Sequence, residues 1–483
     1  MKRRLLMLIT LAAVTVFGQA AAWYQADFPP EEFRARWSKL FEKIGNEAVA
    51  VLQGVPQTNG FIMPRQTNEF YYLCGVETPH SYLLLDGRSR KVTLYLPPRN
   101  PRLESAEGKV LSAEDADRVK QLTGVDEVMS TDVTRGDWFG GLLGGPARTI
   151  YTPLSPAEGN AQTRGELMSA NAAIAADYWD GRIPREAHFV ELIRARYPRA
   201  RVLDLTPILD ELRSLKSPRE IGLIRRASQI AGCGMMEAIR STRPGLYEYH
   251  LDAAARYVFL ANGARLEGYR SITAAGTANI WNIHYYRNMG RLEDGDLVLM
   301  DYAPEYHYYT GDIGRMWPVN GRYSPWQREL LQFVLEYRNA VMKRIRPGVT
   351  PRQIMEEAKA ATEAVFARTK FSKPAYEQAA RRLASSGGGV FSHPVGLAVH
   401  DDGSYQPGPL KPGHVIAIDP QLRVPEENLY IRYEDTIVVT ENGHENFTDF
   451  LPSELDDLEK LMRQEGVIQK VPPGLPSLLK QKP

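Results

Sequence analysis

Hydrophobic and polar positions change their period along this chain, and the changes divide it. In SYLLLDGRSRKVTLYLPP (81–98) apolar runs flank the Asp86-Gly87 pair, which predicts two strands joined by a turn. AEDADRVKQL (113–122) and the stretch after Gly165 carry helical spacing instead, so residues 24 to about 205 read as mixed α/β. A stronger helix signal opens SLKSPREIGLIRRASQIA (214–231). Ser217 is placed to cap, Pro218 to take the first helical position and Glu220 to close a capping box, ahead of Ile221, Ile224, Ala227 and Ala231. A second unit therefore begins near 205–216.

Inside that unit the pattern repeats. STRPGLYEYHLDAAARYVFLANGA (241–264) is echoed by RIRPGVTPRQIMEEAKAATEAVFA (344–367), an RPG turn followed by an amphipathic helix. LEDGDLVLMDY (292–302) is echoed by LKPGHVIAIDP (410–420), sharing a leucine, a glycine three later, an alternating strand and a terminal aspartate. Asp301 and Asp419 become counterparts, and two halves related by an approximate twofold would bring these strand ends together at the middle of one domain. By itself Asp419, followed by Pro420, reads as a turn residue after a strand.

At 483 residues the chain exceeds what one core usually supports, in keeping with two domains. Lys2, Arg3 and Arg4 precede an apolar run over 5–17 and then Ala20, Ala21 and Ala22, the order of a secretory signal cleaved after Ala22. The run is shorter than the roughly 20 residues that span a bilayer. An exported protein, periplasmic or secreted and without a membrane anchor after cleavage, is expected. Cleavage removes three basic residues and no acidic one from a formal charge of +1, leaving −2, which argues against nucleic acid as a partner. Cys74 and Cys233 lie far apart and are expected as two buried free thiols. No cluster of His, Cys or acidic residues stands out in 24–205, which reads as a structural or assembly domain.

The chemistry gathers in the second unit. Asp301 and Asp312 flank a connection between strands, so a hairpin can turn both carboxylates to one face. Like charges side by side repel, and a metal ion resolves the conflict, as would a surface-facing pair. The second half adds His393 and His400 in SHPVGLAVHD, then Asp419, then Glu434 in YIRYEDTIVV. One imidazole and four carboxylates suit Mn²⁺, Co²⁺, Fe²⁺ or Zn²⁺. Five ligands with four negative charges exceed the need of one divalent ion, and two ions fit better.

IHYYRN (283–288), DYAPEYHYYTGDIGRMWPVNG (301–321), SHPVGLAVHD and IRYEDTIVVTENGHENFT (431–448) together resemble the pita-bread metallopeptidases, the family of aminopeptidase P, prolidase and methionine aminopeptidase. RQTNEFYYLCGV (65–76) is similar to the creatinase-type N-terminal domain that accompanies the first two. Between the signal peptide (1–22) and a Pro-rich tail (466–483) whose composition reads as extended or disordered, the resemblance implies a mixed α/β N-terminal domain (23–205) and a pita-bread catalytic domain of repeated helix-and-antiparallel-sheet halves (206–465). It implies metal ligands Asp301, Asp312, His393, Asp419 and Glu434 around two divalent ions, Mn²⁺ foremost, with Asp312 and Glu434 bridging. His284 and His400 would hydrogen-bond the substrate and the tetrahedral intermediate, Asp419 would act as base and acid, and Arg432 would orient a carboxylate. The implied activity is that of an Xaa-Pro aminopeptidase, in which hydroxide bridging the metals attacks the first peptide bond of proline-containing peptides, and the implied assembly is a homodimer or larger. The alternatives are an Xaa-Pro dipeptidase and a metal-deficient relative acting as a binding protein or non-peptidase hydrolase. The last rests on one departure: Asp419 stands where the family carries Glu in an EPG-like segment.

Overall fold

The computed structural model describes residues 24–56, 62–136, 138, 149–386, 390–403 and 408–471. The expected signal segment and the distal tail (472–483) lie outside them. Among the described residues no helix is long and apolar enough to cross a membrane.

The N-terminal unit is a six-stranded sheet in the order β4-β3-β2-β1-β5-β6. Its strands are β1 (Ala48–Gln53), β2 (Tyr82–Asp86), β3 (Lys91–Leu96), β4 (Glu127–Ser130), β5 (Thr149–Thr152) and β6 (Arg201–Asp204). The expected hairpin is β2–β3, antiparallel with Asp86 opposite Lys91, whereas β4, β5 and β6 join in parallel. Alternation sends side chains to two faces. Ala48, Ala50 and Leu52 of β1, with Leu83 and Leu85 of β2, meet Phe33, Trp37 and Leu40 of helix Pro30–Ile44. Val49 and Val51, with Leu84, meet Phe189 and Ile193 of helix Arg185–Arg196. Both faces are covered, so these strands read as nearly continuous apolar runs.

Helix Thr206–Ser214 adds Leu209 and Leu212 to the apolar core beneath the first sheet, and the second unit's long helix, Pro218–Ser241, follows it. Its capping box is formed: Ser217 N–H donates to Glu220 at 2.9 Å and Glu220 N–H donates to Ser217 Oγ at 3.3 Å. The apolar core beneath the first sheet continues into this unit through Ile224, Tyr309, Val395 and Val415.

The internal echo is structural. In one half β9 (Leu297–Asp301) lies between β8 (Ile272–Ala275) and β12 (Gly314–Pro318). In the other, β14 (Val415–Ile418) lies between β13 (Phe391–Pro394) and β17 (Asp435–Val439), which also pairs with β18 (His444–Asn446). Both RPG glycines, Gly245 and Gly348, take left-handed φ (+88° and +82°), as do Gly295 and Gly413 before the paired strands (+90° and +94°). The helices after the RPG turns are Glu248–Ala261 and Pro351–Arg368. Gly314 and Glu434 exchange backbone bonds of 3.2 and 3.1 Å, joining the halves where the strand ends meet.

Two expectations are corrected. Cys74 is buried, with its thiol pushed up to about 12 by burial, but Cys233 is exposed on the outer side of its helix. The tail begins with a helical turn, Val467–Lys470, held against Ser241 by Gln469 at 2.8 Å, so its first residues are neither extended nor free.

Candidate active site

Asp301 closes β9 opposite Gly314 of β12 and Ile272 of β8. Asp312 precedes β12 by two residues, which sets it diagonally across the hairpin. The connection is longer than a turn. It leaves the sheet as a second hairpin, β10 (Pro304–Tyr306) with β11 (Tyr309–Thr310), before returning to the site. Thr436 anchors the return: its hydroxyl accepts from Asp312 N–H at 2.8 Å and donates to the Asp312 carbonyl at 2.7 Å. The Tyr269 hydroxyl bridges both carboxylates, 2.6 Å from Asp301 Oδ1 and 2.8 Å from Asp312 Oδ1.

The second half supplies the facing groups. His393 lies on β13 with Nε2 3.3 Å from Asp312 Oδ2, while its Nδ1 donates to the Pro394 carbonyl at 3.0 Å. Glu434, between β16 (Leu429–Arg432) and β17, is fully buried, and its Oε1 meets no protein partner. Donor atoms of Asp312, His393 and Glu434 lie within 4.8 Å of one another, which is the spacing of ligands around one ion.

Asp301 and Asp419 are held differently from the single ring of donors that five ligands imply. Arg432 meets Asp419 bidentately, Nε to Oδ1 at 3.1 Å and Nη2 to Oδ2 at 3.0 Å. It also reaches Asp301 Oδ2 at 2.8 Å through Nη1, and Glu434 through Nη2. Gln421, on β15 (Gln421–Val424), donates to Asp419 Oδ2 at 2.5 Å. The short Asp419 side chain thus meets the fork of a guanidinium, whose planar edge matches a carboxylate.

Four buried carboxylates against one guanidinium leave an excess of negative charge, and the titration shifts record it. Burial pushes Asp301 up to about 7 against the pull of Arg432, and raises Asp419 and Glu434 likewise. Burial acts on Asp312 too, but the His393 hydrogen bond prevails and holds it at about 2. That same bond lifts His393 above the usual histidine range although burial opposes it. His400 is pushed down to about 4 by burial and by His393, and His284 is lowered by burial and Arg432. Near neutral pH both are neutral imidazoles. The surplus charge and the orphaned Glu434 Oε1 are what a divalent cation would satisfy, so these residues fit a metal.

Asp301, Asp312 and Asp419 floor a cavity of about 520 Å³, with His284 and His400 on its walls, rings 6.4 Å apart. His393 and His400 rings are 4.1 Å apart. Its remaining lining was not legible in the sequence: Tyr269 is one of 24 tyrosines, and Gln421 carries no chemical signature. Gln162, Thr163 and Glu166 come from the N-terminal unit, which therefore supplies part of the cavity wall. The nearest sequence signal for this wall was Thr163 before a helix start.

The sequence model for metallopeptidase family M24 matches residues 222–441, and that for the aminopeptidase P N-terminal domain matches residues 33–138. The Xaa-Pro aminopeptidase of Haemophilus influenzae is 30% identical over 461 residues, 91% of this chain and 99% of that protein. The Xaa-Pro aminopeptidase of Escherichia coli is 29% identical, over 89% of this chain and 97% of its own. Among solved structures, zinc-substituted E. coli aminopeptidase P in complex with product superposes with a TM-score of 0.71 at 27% identity, covering 91% of this chain and 99% of that one. Proline aminopeptidase P II from Yersinia pestis gives 0.72 at 28%, covering 90% and 100%.

Proposed function

The chain belongs to metallopeptidase family M24, and from that premise we propose that it is an exported Xaa-Pro aminopeptidase, releasing the first residue from peptides whose second residue is proline. The observation that carries this is the convergence of Asp312, His393 and Glu434, whose Oε1 has no partner, at a cavity lined by Asp312, His393 and the histidine walls. Asp301 with Asp312 would hold one divalent ion and His393 with Asp419 the other, Asp312 and Glu434 serving both, Mn²⁺ being favoured by the oxygen-rich set. When bound, such ions lower the pKa of water and polarise the scissile carbonyl. Export rests on the leader-like residues 1–22.

The side chains divide the remaining work. Neutral His284 and His400 hydrogen-bond the substrate carbonyl and the charge that grows on its oxygen. Asp419, oriented by Arg432 and Gln421, accepts a proton from the attacking water and returns it to the leaving proline nitrogen. Ile283, Val399 and Leu167 give the cavity an apolar wall suited to a pyrrolidine ring. Tyr269 keeps Asp301 and Asp312 in fixed relation.

One observation favours a second reading. The bidentate Arg432–Asp419 pair already neutralises part of the site, as expected in a relative that has lost metal. Elemental analysis after stripping and reconstitution with Mn²⁺, Co²⁺ or Zn²⁺ separates the two. Two ions per chain together with activity are expected; no retained metal and no activation would overturn the metallopeptidase assignment. Ala-Pro-Ala should be a better substrate than Ala-Pro, and cleavage of the dipeptide alone would make the enzyme an Xaa-Pro dipeptidase.

A further inference from the structure

The N-terminal unit's contribution to the cavity has no role in the chemistry above. It comes from the start of helix Arg164–Ala176. Arg164 is buried in a charged cluster between the two units, 2.6 Å from Asp210, 3.0 Å from Glu69 and 3.0 Å from Asp402. Arg213 lies in the same cluster, 2.8 Å from Glu158 and paired with Asp401, which Lys216 also meets at 2.8 Å. Two residues after Arg164 stands Glu166; two residues before Asp402 stands His400. Glu166 Oε1 lies 3.5 Å from His400 Nδ1. The two segments therefore meet twice, once through buried ion pairs and once at the cavity rim.

This arrangement fixes the backbone beneath Glu166 while leaving its side chain 59% exposed. Among the described residues its carboxylate forms no ion pair with a lysine or arginine. The other rim charge, Arg270, is engaged by Asp252 at 3.1 Å and Glu267 at 3.4 Å. Arg432 is committed to the floor. The charge that the rim offers to an arriving ligand is thus negative, and it is held in one place.

Geometry decides which part of a peptide meets it. An enzyme that removes one residue encloses that residue at the closed end, over the carboxylates, and the rest of the peptide leaves through the mouth. Glu166 is at the mouth. Resting on the Xaa-Pro reading, we infer that Glu166 is a specificity residue that selects peptides carrying lysine or arginine immediately after the proline. A partly exposed ion pair discriminates modestly and is screened by salt.

The test compares Ala-Pro-Arg, Ala-Pro-Glu and Ala-Pro-Ala on the Mn²⁺-loaded full chain. Ala-Pro-Arg is expected to exceed Ala-Pro-Glu in kcat/KM by about three- to fivefold, carried by KM and shrinking at high salt. Glu166→Gln should bring that ratio close to one, and Glu166→Lys should invert it. Arg-Pro-Ala and Glu-Pro-Ala should show no such dependence on residue 166. A ratio unaffected by both variants, or a preference that moves at the first position instead, overturns the inference while leaving the aminopeptidase reading intact. No hydrolysis of any of these peptides would sink both.

Discussion

Replacing Asp419 by alanine is expected to remove one bound ion and to lower kcat/KM on an Xaa-Pro tripeptide by at least about 10³-fold. Loss of a residue that merely supports a metal ligand costs about 10–100-fold, and loss of a general base costs about 10²–10⁴-fold. Asp419 is assigned both tasks, and it is buried, so no neighbouring solvent-facing group replaces it. Asp419→Glu is expected to keep or raise activity, because the added methylene carries the carboxylate roughly 1.5 Å further. Gln421 is the obstacle to that longer side chain, being bonded to Asp419 at 2.5 Å. The double variant Asp419→Glu, Gln421→Gly should therefore equal or exceed the single one. Steady-state kinetics and metal content read both effects. If neither Asp419→Ala nor Asp419→Glu changes them, Asp419 is only the residue that ends a strand.

Arg432→Met should destabilise the metal-free protein by about 3–5 kcal/mol, the usual cost of removing one partner from a buried ion pair. Here the guanidinium is shared by Asp301, Asp419 and Glu434, so three buried carboxylates lose their counter-charge together. Divalent cations should restore much of the loss, since a ligand that binds only the folded state stabilises it by about 2.7 kcal/mol at a hundred times its Kd. The rise in Tm on adding Mn²⁺ should be larger in Arg432→Met than in the parent. Arg432→Lys keeps the charge but not the fork, and it should fall between them. An equal Mn²⁺ response in all three would mean that Arg432 and the metal do not share these carboxylates.

The elements that carry local signals were legible. The capping box at Ser217 and Glu220, the β2–β3 hairpin and the repeated RPG turns each depend on residues close in sequence, and each formed. The convergence of Asp312, His393 and Glu434 followed from the repeat, because equivalent strand ends meet at the Gly314–Glu434 bridge. What stayed hidden depends on tertiary neighbours. Tyr269 matters only because the segment it stands on leads into β8, which pairs with β9 beside Asp301. Glu166 matters only because buried ion pairs bring residues 164 and 402 together across two units. The exposure of Cys233 turned on which face of a long helix met the core, and the excursion at β10–β11 made the Asp301–Asp312 connection more than a turn.

The central claim, metal-dependent removal of a residue preceding proline, is tested most directly by product analysis. Stripped and Mn²⁺-reconstituted protein would be incubated with Ala-Pro-Ala, its N-acetylated form and Ala-Ala-Ala, and the products identified by mass spectrometry. The account predicts free alanine and Pro-Ala from the unblocked proline peptide alone, and only when metal is present. Equal release from Ala-Ala-Ala, or no release from Ala-Pro-Ala with any of Mn²⁺, Co²⁺ or Zn²⁺, would contradict it.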